Sequence, residues 1–212
     1  EEKEELVFKT RDDVELYLQS LYERPSENDT QNNWFRDQMM MSDAHSDNAY
    51  AGTSGAEVVN VENNAIDATH MMNERLWTRW MNDIAFANKL IVNVENVLDG
   101  SLSQEEIDSY KAQGMLFRAI VWFDMARMWG NIPLVTAVAG NITADNIEEA
   151  YPAYFPEQKT VEEVFAKIEE DLLFCLEYAP EGGGDKTILS KDVARALLAK
   201  VYACLLYTSD AA

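Results

Sequence analysis

Signals for helix starts, followed by long apolar stripes, limit the possible folds of this chain more than any other feature. A hydroxyl residue is followed three positions later by an acidic residue at three places: Thr10 and Asp13, Ser103 and Glu106, and Thr160 and Glu163. In such a capping box, the hydroxyl oxygen and the carboxylate each accept a hydrogen bond from a free N–H group at the helix start. Ser190 fits a plain N-cap. Together with apolar periodicity, these signals predict helices near 11–23, 73–98, 104–129, 161–178 and 190–204.

The second and third predicted helices are long for a globular protein, and each is amphipathic. Apolar side chains of the second helix recur at steps of three and four: Trp77, Trp80, Met81, Ile84, Ala87, Ile91, Val94 and Leu98. The short turn over 99–101 requires the two helices to run antiparallel. Residues 161–178 and 190–204 predict a second hairpin. The predicted fold is therefore all-α, with TPR-like stacked helical hairpins, although no textual 34-residue repeat is visible.

Two polar segments, 25–72 and 131–159, lack a helical period and are predicted to be long loops. Loops of this length are uncommon unless they have a function or are disordered. We expect them to pack on the helices, because they carry several aromatic residues: Trp34, Phe35, Tyr50, Tyr151, Tyr154 and Phe155.

Composition and motifs exclude several classes of function. The chain has 38 acidic and 17 basic residues and a net charge of −21. Nucleic acid is therefore not an expected partner, and an anionic membrane surface is unfavourable. No apolar run is long enough to span a membrane, and the first residues lack the apolar core of a signal peptide. No catalytic or cofactor-binding motif is present, so neither an enzyme nor a cofactor is expected.

The last nine residues, 204–212, resemble the translation of a sequencing adapter. We therefore expect residues 1–203 to form the natural domain and 204–212 to be a foreign tail. The alternative is an ordinary C-terminal helix that continues into a polar tail. If the tail is foreign, Cys175 is the one native thiol, and we expect it to be buried.

Residues 113–134, with the sequence QGMLFRAIVWFDMARMWGNIPL, resemble a motif of the SusD/RagB family. Six residues fit that motif directly: Arg118, Ala119, Phe123, Gly130, Pro133 and Leu134. Trp122 and Trp129 keep its aromatic positions. Gln113 stands where the family usually has Glu, and residues 116–117 invert the usual pair.

Two further segments extend this resemblance over residues 73–203. Trp77, Ile84 and Asn88 match one family helix, and Met81 stands where an aromatic residue is usual. Residues 161–172 and 190–202 are similar to two later helices of the family. By this resemblance, the chain would be the N-terminal part of a longer SusD-like domain, incomplete at its C-terminus.

The resemblance also implies a location and partners. The family implies a lipid-anchored protein at the outer face of the Gram-negative outer membrane, with its lipidated cysteine upstream of Glu1. Such a protein binds oligosaccharides or polysaccharides, and in some cases peptides. It delivers them to a SusC-like, TonB-dependent transporter and catalyses no reaction.

Candidate binding residues follow from the chemistry of sugars, which need flat aromatic faces and planar polar groups on exposed loops. The first group is a polar-aromatic cluster in the 25–72 segment: Asp43, Asp47, Asn48 and Tyr50. The second group lies at the start of the next helix: Trp77, Trp80 and Asn82. For the first group the alternative is a set of solvated turn residues, and for Trp77 it is a place in the core.

Other interpretations stay open at this point. Asp43, His45 and Asp47 alternate as metal ligands can, but no second ligand group follows, so no metal is predicted. We expect Arg118 and Arg127 to form structural ion pairs, for example with Asp124 or Asp171. The alternative functions are a TPR-like scaffold that binds peptides or proteins, and a helical glycoside hydrolase with paired carboxylates.

Overall fold

The computed structural model describes residues 7–26, 34–50, 52–138, 148, 151 and 154–210. Its α-helices are α1 (Arg11–Glu23), α2 (Trp34–Ser42), α3 (Ala56–Glu62), α4 (Met71–Asn93), α5 (Gln104–Trp129), α6 (Val161–Tyr178) and α7 (Lys191–Asp210). Short 3-10 helices follow α1 (Arg24–Ser26) and α4 (Val94–Asn96). The strands within the described residues, β1 (Ile132–Pro133) and β2 (Gln158–Lys159), form one short antiparallel pair. The predicted all-α, TPR-like class is confirmed.

All three predicted capping boxes are present. The Glu106 N–H donates to Ser103 Oγ at 3.3 Å, and the Ser103 N–H donates back to the Glu106 carboxylate at 2.8 Å. Thr160 and Glu163 make the same reciprocal pair before α6. The Thr10 N–H donates to the Asp13 carboxylate at 2.9 Å, which gives α1 a third box. These bonds explain why α1, α5 and α6 begin where the sequence predicts.

The described chain divides into two compact units. The first unit comprises Glu1–Leu21 and Ile84–Ala212, and the second comprises Tyr22–Asp83. The division falls within α4, so its N-terminal half belongs to the second unit and its C-terminal half to the first.

In the first unit, α5 is the central helix. It packs against α6, which in turn packs against α7, and α5 also contacts β1. Twelve of its residues are buried, between Ala112 and Ala126, and they point to all sides of the helix. The sequence predicts one apolar stripe on α5, but a helix buried on all sides is a core helix rather than a surface one.

Gly114 allows α4 and α5 to approach closely. A Cβ atom at this position would lie 2.9 Å from Ile91 Cγ1 and 3.6 Å from the carbonyl oxygen of Ala87. The predicted hairpin of these two helices is therefore present in the first unit, with a glycine at the contact.

The end of α5 is joined to the start of α6 through the short strand pair. Gly130, at φ +74°, ends α5, and its N–H donates to the Ala126 carbonyl at 2.9 Å. Ile132 then pairs with Lys159, and Pro133 with Gln158. Parts of the predicted 131–159 loop, residues 139–147, 149–150 and 152–153, lie outside the described residues.

The second unit corrects the prediction that residues 25–72 form a long loop. This segment contains α2 and α3, which pack against each other, and a 3-10 helix that packs against α2. Both helices are short, at nine and seven residues. Helices of this length depend on tertiary contacts, so an apolar period is a weak guide to them.

The C-terminal helix also differs from its prediction. Helix α7 continues to Asp210 rather than ending near residue 204. The foreign origin of residues 204–212 remains a prediction. Cys175 is buried as expected, and its thiol donates to the Ala112 carbonyl at 3.1 Å. Burial raises the pKa of this thiol well above its usual range. Among the described helices, none is both long and apolar enough to cross a membrane.

Candidate functional site

The four predicted loop residues, Asp43, Asp47, Asn48 and Tyr50, lie in the second unit, in the turns that follow α2. All four are exposed, and the ring of Tyr50 is 78% exposed. An aromatic ring that is largely in water has a free face for a ligand. The structure is therefore compatible with both interpretations of this cluster, a binding surface or a solvated turn.

Backbone hydrogen bonds fix the turn that carries this cluster. The Asp43 N–H donates to the Met39 carbonyl at 2.8 Å, which continues the end of α2. Ser46 then donates to the Asp43 carbonyl through both its N–H, at 3.0 Å, and its hydroxyl, at 2.8 Å. The Asn48 N–H donates to the Ser46 hydroxyl at 3.3 Å. Because these bonds use mainly backbone groups, the carboxylate of Asp47 and the amide of Asn48 remain at the surface.

The predicted residues on α4 occupy different environments. Trp80 is fully buried, with 0% exposure, so its ring offers no free face to a sugar in this structure. Trp77, which the apolar stripe places in the core, is half-buried instead, and Asn82 is exposed. The buried face of α4 passes through Met72, Leu76 and Trp80 at steps of four, and this places Trp77 at its edge.

A cavity of about 270 Å³ lies in the second unit among α2, α3 and α4. Its apolar lining is formed by Met40, Val58, Met71 and Met72, and its polar lining by Thr53, Glu57 and Arg75. The Nε2–H of the His70 ring donates a hydrogen bond to the Glu57 carbonyl at 3.0 Å. Apolar walls with a few placed polar groups are typical of small-molecule sites.

None of the seven predicted residues lines this cavity, but several are close to it along the chain. Asp43 follows Met40 by three residues, and Tyr50 precedes Thr53 by three. Three residues span at most about 11 Å. The cluster and the cavity therefore belong to one region of the second unit.

A buried ion pair holds the cavity wall in place. The Arg75 guanidinium donates from Nε and from a terminal nitrogen to the Asp37 carboxylate, at 2.5 and 2.7 Å. Asp37 is almost fully buried and belongs to α2, so this two-point contact ties α2 to α4. A second pair of contacts joins Asp83 to Arg24 and Arg79, and connects the 3-10 helix to α4.

Sequence reasoning missed these charged residues of the second unit. Arg75, Arg79 and Asp83 recur at steps of four, so they share one face of α4. That spacing was the available signal. The apolar stripe on the same helix is the stronger pattern, so the spacing of these charged residues is easily overlooked.

In the first unit, Asn88, Arg118 and Asp171 meet in a buried network. Each of them comes from one of the three segments that resemble the SusD/RagB family. Arg118 donates to the Asp171 carboxylate at 2.6 Å and to the Asn88 side-chain oxygen at 2.6 Å. Asn88 in turn donates to the Val135 carbonyl at 2.7 Å, and Lys167 pairs with Asp171 at 3.1 Å. The predicted structural pairing of Arg118 is confirmed, and burial makes this network a scaffold rather than a ligand site.

The remaining predictions concern surface residues. Arg127 pairs with Asp124 at 3.4 Å, as the sequence suggests. Within the part of the chain that the structure describes, no three His, Cys, Asp or Glu side chains are arranged to hold a metal ion. This includes Asp43, His45 and Asp47.

The fold and the buried network define a class of protein, a scaffold of helical hairpins with an exposed polar-aromatic surface on its second unit. The model of a SusD-like family described as "Starch-binding associating with outer membrane" matches residues 1–203. The chain belongs to this family. Proteins of the family bind carbohydrate and are not enzymes.

Similar proteins support this assignment. The "SusD-like protein P2" of Formosa agariphila is 26% identical over 202 residues, which cover 93% of this chain and 37% of that protein. A SusD superfamily protein from Bacteroides vulgatus has a TM-score of 0.76 and 18% identity, over 93% of this chain and 40% of that one. A "Laminarin binding SusD-like protein" has a TM-score of 0.71 and 23% identity, over 92% and 40%. This chain thus spans about two fifths of the length of these relatives.

Proposed function

We propose that this protein binds oligosaccharides or polysaccharides at the cell surface through its second unit. The observation that carries the proposal is the match of residues 1–203 to a starch-binding family. The solved structure of a laminarin-binding relative with the same fold adds support for a glycan ligand. Residues 1–203 would then be the N-terminal part of a longer SusD-like domain.

The second unit has chemistry that suits a neutral sugar. The ring of Tyr50 offers a flat face for the C–H groups of a pyranose, and Asp43, Asp47 and Asn48 offer acceptors and donors for its hydroxyls. Trp77, at the edge of the buried face, and the exposed Asn82 complete the proposed set. The neighbouring cavity adds a thioether-lined wall and the Arg75 guanidinium, which suits an inserted hydroxymethyl group or a ring edge.

Delivery is the second half of the proposed function. The bound glycan would pass to a SusC-like, TonB-dependent transporter in the outer membrane. A lipid anchor would hold the protein at the outer face of that membrane. Both features belong to the family resemblance, and the family description itself names outer-membrane association.

Affinity electrophoresis of the product of the complete natural gene tests glycan binding. Native gels that contain soluble starch or laminarin should retard the protein. Tyr50→Ala should reduce the retardation, because it removes an exposed ring without touching the core. Tyr202→Ala, at an exposed tyrosine of α7, is the matched control and should migrate like the unmodified protein. The absence of retardation across a panel of glycans, with tight binding to peptides instead, would support the scaffold alternative.

A separate measurement tests delivery. Co-purification of the complete protein with the transporter encoded beside its gene is expected to yield a stable complex. A gene neighbourhood without such a transporter, or two proteins that do not associate, would contradict the delivery step while leaving glycan binding intact.

A further inference from the structure

Exposed aromatic side chains are concentrated in a short segment of the first unit. Tyr151, Tyr154 and Phe155 are 55%, 43% and 64% exposed. Most other large aromatic residues of the described chain are buried or half-buried, with Tyr50 and Tyr202 as the remaining exposed examples. A cluster of exposed apolar surface, unlike single scattered residues, indicates a site of interaction.

Two of these rings form one surface. Tyr151 and Phe155 stack with their ring centroids 4.6 Å apart and an angle of 28° between their planes. The Phe155 N–H also donates to the Tyr151 carbonyl at 3.1 Å, so a backbone hydrogen bond and the ring contact both link these two residues. We call these two residues the aromatic platform.

The aromatic platform is attached to an ordered part of the scaffold. Gln158, three residues after Phe155, pairs with Pro133 in the short strand pair. Thr160 then forms the capping box that begins α6. A pair of exposed rings on a fixed support loses little conformational freedom when a ligand binds, which favours binding.

The size of the aromatic platform points to a small ligand group rather than a protein. Two aromatic side chains offer at most about 500 Å², whereas each partner in a stable protein interface buries about 800 Å². Flat ring faces instead match the C–H faces of a sugar ring. Glu148 and Glu157, which lie within three residues of the aromatic platform along the chain, are exposed carboxylates that can accept hydrogen bonds from hydroxyl groups.

We propose that Tyr151 and Phe155 form a second glycan contact, located on the first unit, which stacks on sugar rings of a polysaccharide. The inference rests on the proposed function, because it needs a glycan to be the ligand. A second contact on the same polymer raises the apparent affinity for long chains without changing the affinity for short ones. Its ligand class is therefore a neutral polysaccharide.

The test compares long and short ligands on the complete natural protein. Isothermal titration with soluble starch and with maltotriose, and with laminarin and laminaritriose, gives four affinities. The double variant Tyr151→Ala/Phe155→Ala should lose about fivefold in affinity for whichever polymer binds, and nothing for its trisaccharide. Tyr202→Ala is the control for removing an exposed ring elsewhere, and circular dichroism checks that all variants are folded.

The outcomes separate this inference from the proposed function. If the unmodified protein binds no glycan, the proposed function fails, and the second contact fails with it. If it binds both lengths but the double variant keeps full affinity for the polymer, only the second contact is wrong. Equal losses of affinity for polymer and trisaccharide would also overturn the second contact, because the platform would then belong to the site that binds the short ligand.

Discussion

The buried charge of Arg118 in the first unit is balanced by the carboxylate of Asp171. Arg118 and Asp171 are both almost fully buried, and Asn88 and Lys167 complete their contacts. Moving charges out of water is costly, and the cost is offset only while each charge keeps its partner. The pair therefore positions α5 against α6 and penalises any arrangement that separates them.

Replacing Asp171 by Asn should destabilise the protein by about 3–5 kcal/mol, because the charge of Arg118 would remain buried without a counter-charge. Urea unfolding followed by circular dichroism measures this. Asp192→Asn is the control, since Asp192 pairs with Arg195 at the surface. An exposed pair contributes at most about 1 kcal/mol. A loss below that value for Asp171→Asn would show that the network is not essential to the core.

Glu106 makes the stability depend on pH. Hydrogen bonds from Arg11 and from the Ser103 N–H lower its pKa from the ordinary 4.5 to about 2. Because the folded state holds this carboxylate ionised, its contribution is complete above about pH 4.5 and is lost as the pH falls toward 2. The difference in melting temperature between the unmodified protein and Glu106→Gln should therefore be largest near pH 6.

That difference should shrink steadily between pH 4.5 and 3, when both proteins are followed by thermal melting. Glu105→Gln removes the same charge from the same helical turn without touching the Arg11 bond, so it should show a smaller difference at pH 6. A difference in melting temperature between the unmodified protein and Glu106→Gln that stays constant down to pH 3 would contradict the lowered pKa of Glu106.

Single residues also show what sequence could not decide about the candidate site. Trp77 and Trp80 are both compatible with one wide apolar face of α4, and the period alone does not say which is at its centre. The structure places Trp80 in the core and Trp77 at the edge. Helix α4 is tied to α2 by Asp37 and Arg75, a contact between residues 38 positions apart. No local pattern predicts such a contact.

The helices are of two kinds. Some begin at residues fixed by hydrogen bonds between near neighbours in the sequence, and others form only because of tertiary contacts. Capping boxes involve residues three apart, so the starts of α1, α5 and α6 could be predicted from sequence. Helices α2 and α3 are too short to be stable alone, so the same reasoning predicts a loop there. The candidate surface and the cavity lie mainly in this second group, which explains why the cavity could not be predicted from the sequence.

Gly114 tests the packing of α4 on α5. Gly114→Ala should destabilise the protein by about 1–3 kcal/mol, because the added Cβ would lie 2.9 Å from Ile91 Cγ1. The better helix propensity of alanine, worth about 1 kcal/mol, offsets only part of this cost. Chemical unfolding of the two proteins measures the difference.

A double-mutant cycle supplies the control for that substitution. In an Ile91→Ala background the clashing atom is absent, so Gly114→Ala should cost less or become stabilising. Equal costs in the two backgrounds would mean that the glycine is needed for some other reason than the contact with Ile91.

At the level of the whole molecule, charge separates the proposed function from its main alternative. The net charge of −21 repels other anions and attracts cationic peptides. A neutral glycan has no charge to interact with this field, and its contacts are short-range hydrogen bonds and ring stacking. The two kinds of ligand should therefore respond differently to ionic strength.

Raising NaCl from 20 to 300 mM should leave the affinity of the complete protein for its glycan within about twofold, because screening has little to act on. The melting temperature should rise over the same range, since salt weakens the repulsion among the excess acidic residues. Titration calorimetry and thermal melting at matched salt concentrations provide both values, and the melting shift confirms that the field is being screened. A scaffold that selects basic peptides would instead lose affinity steeply over this range. A glycan affinity that fell as steeply would mean that charged groups carry recognition, and the exposed Tyr50 surface would then not be the main contact.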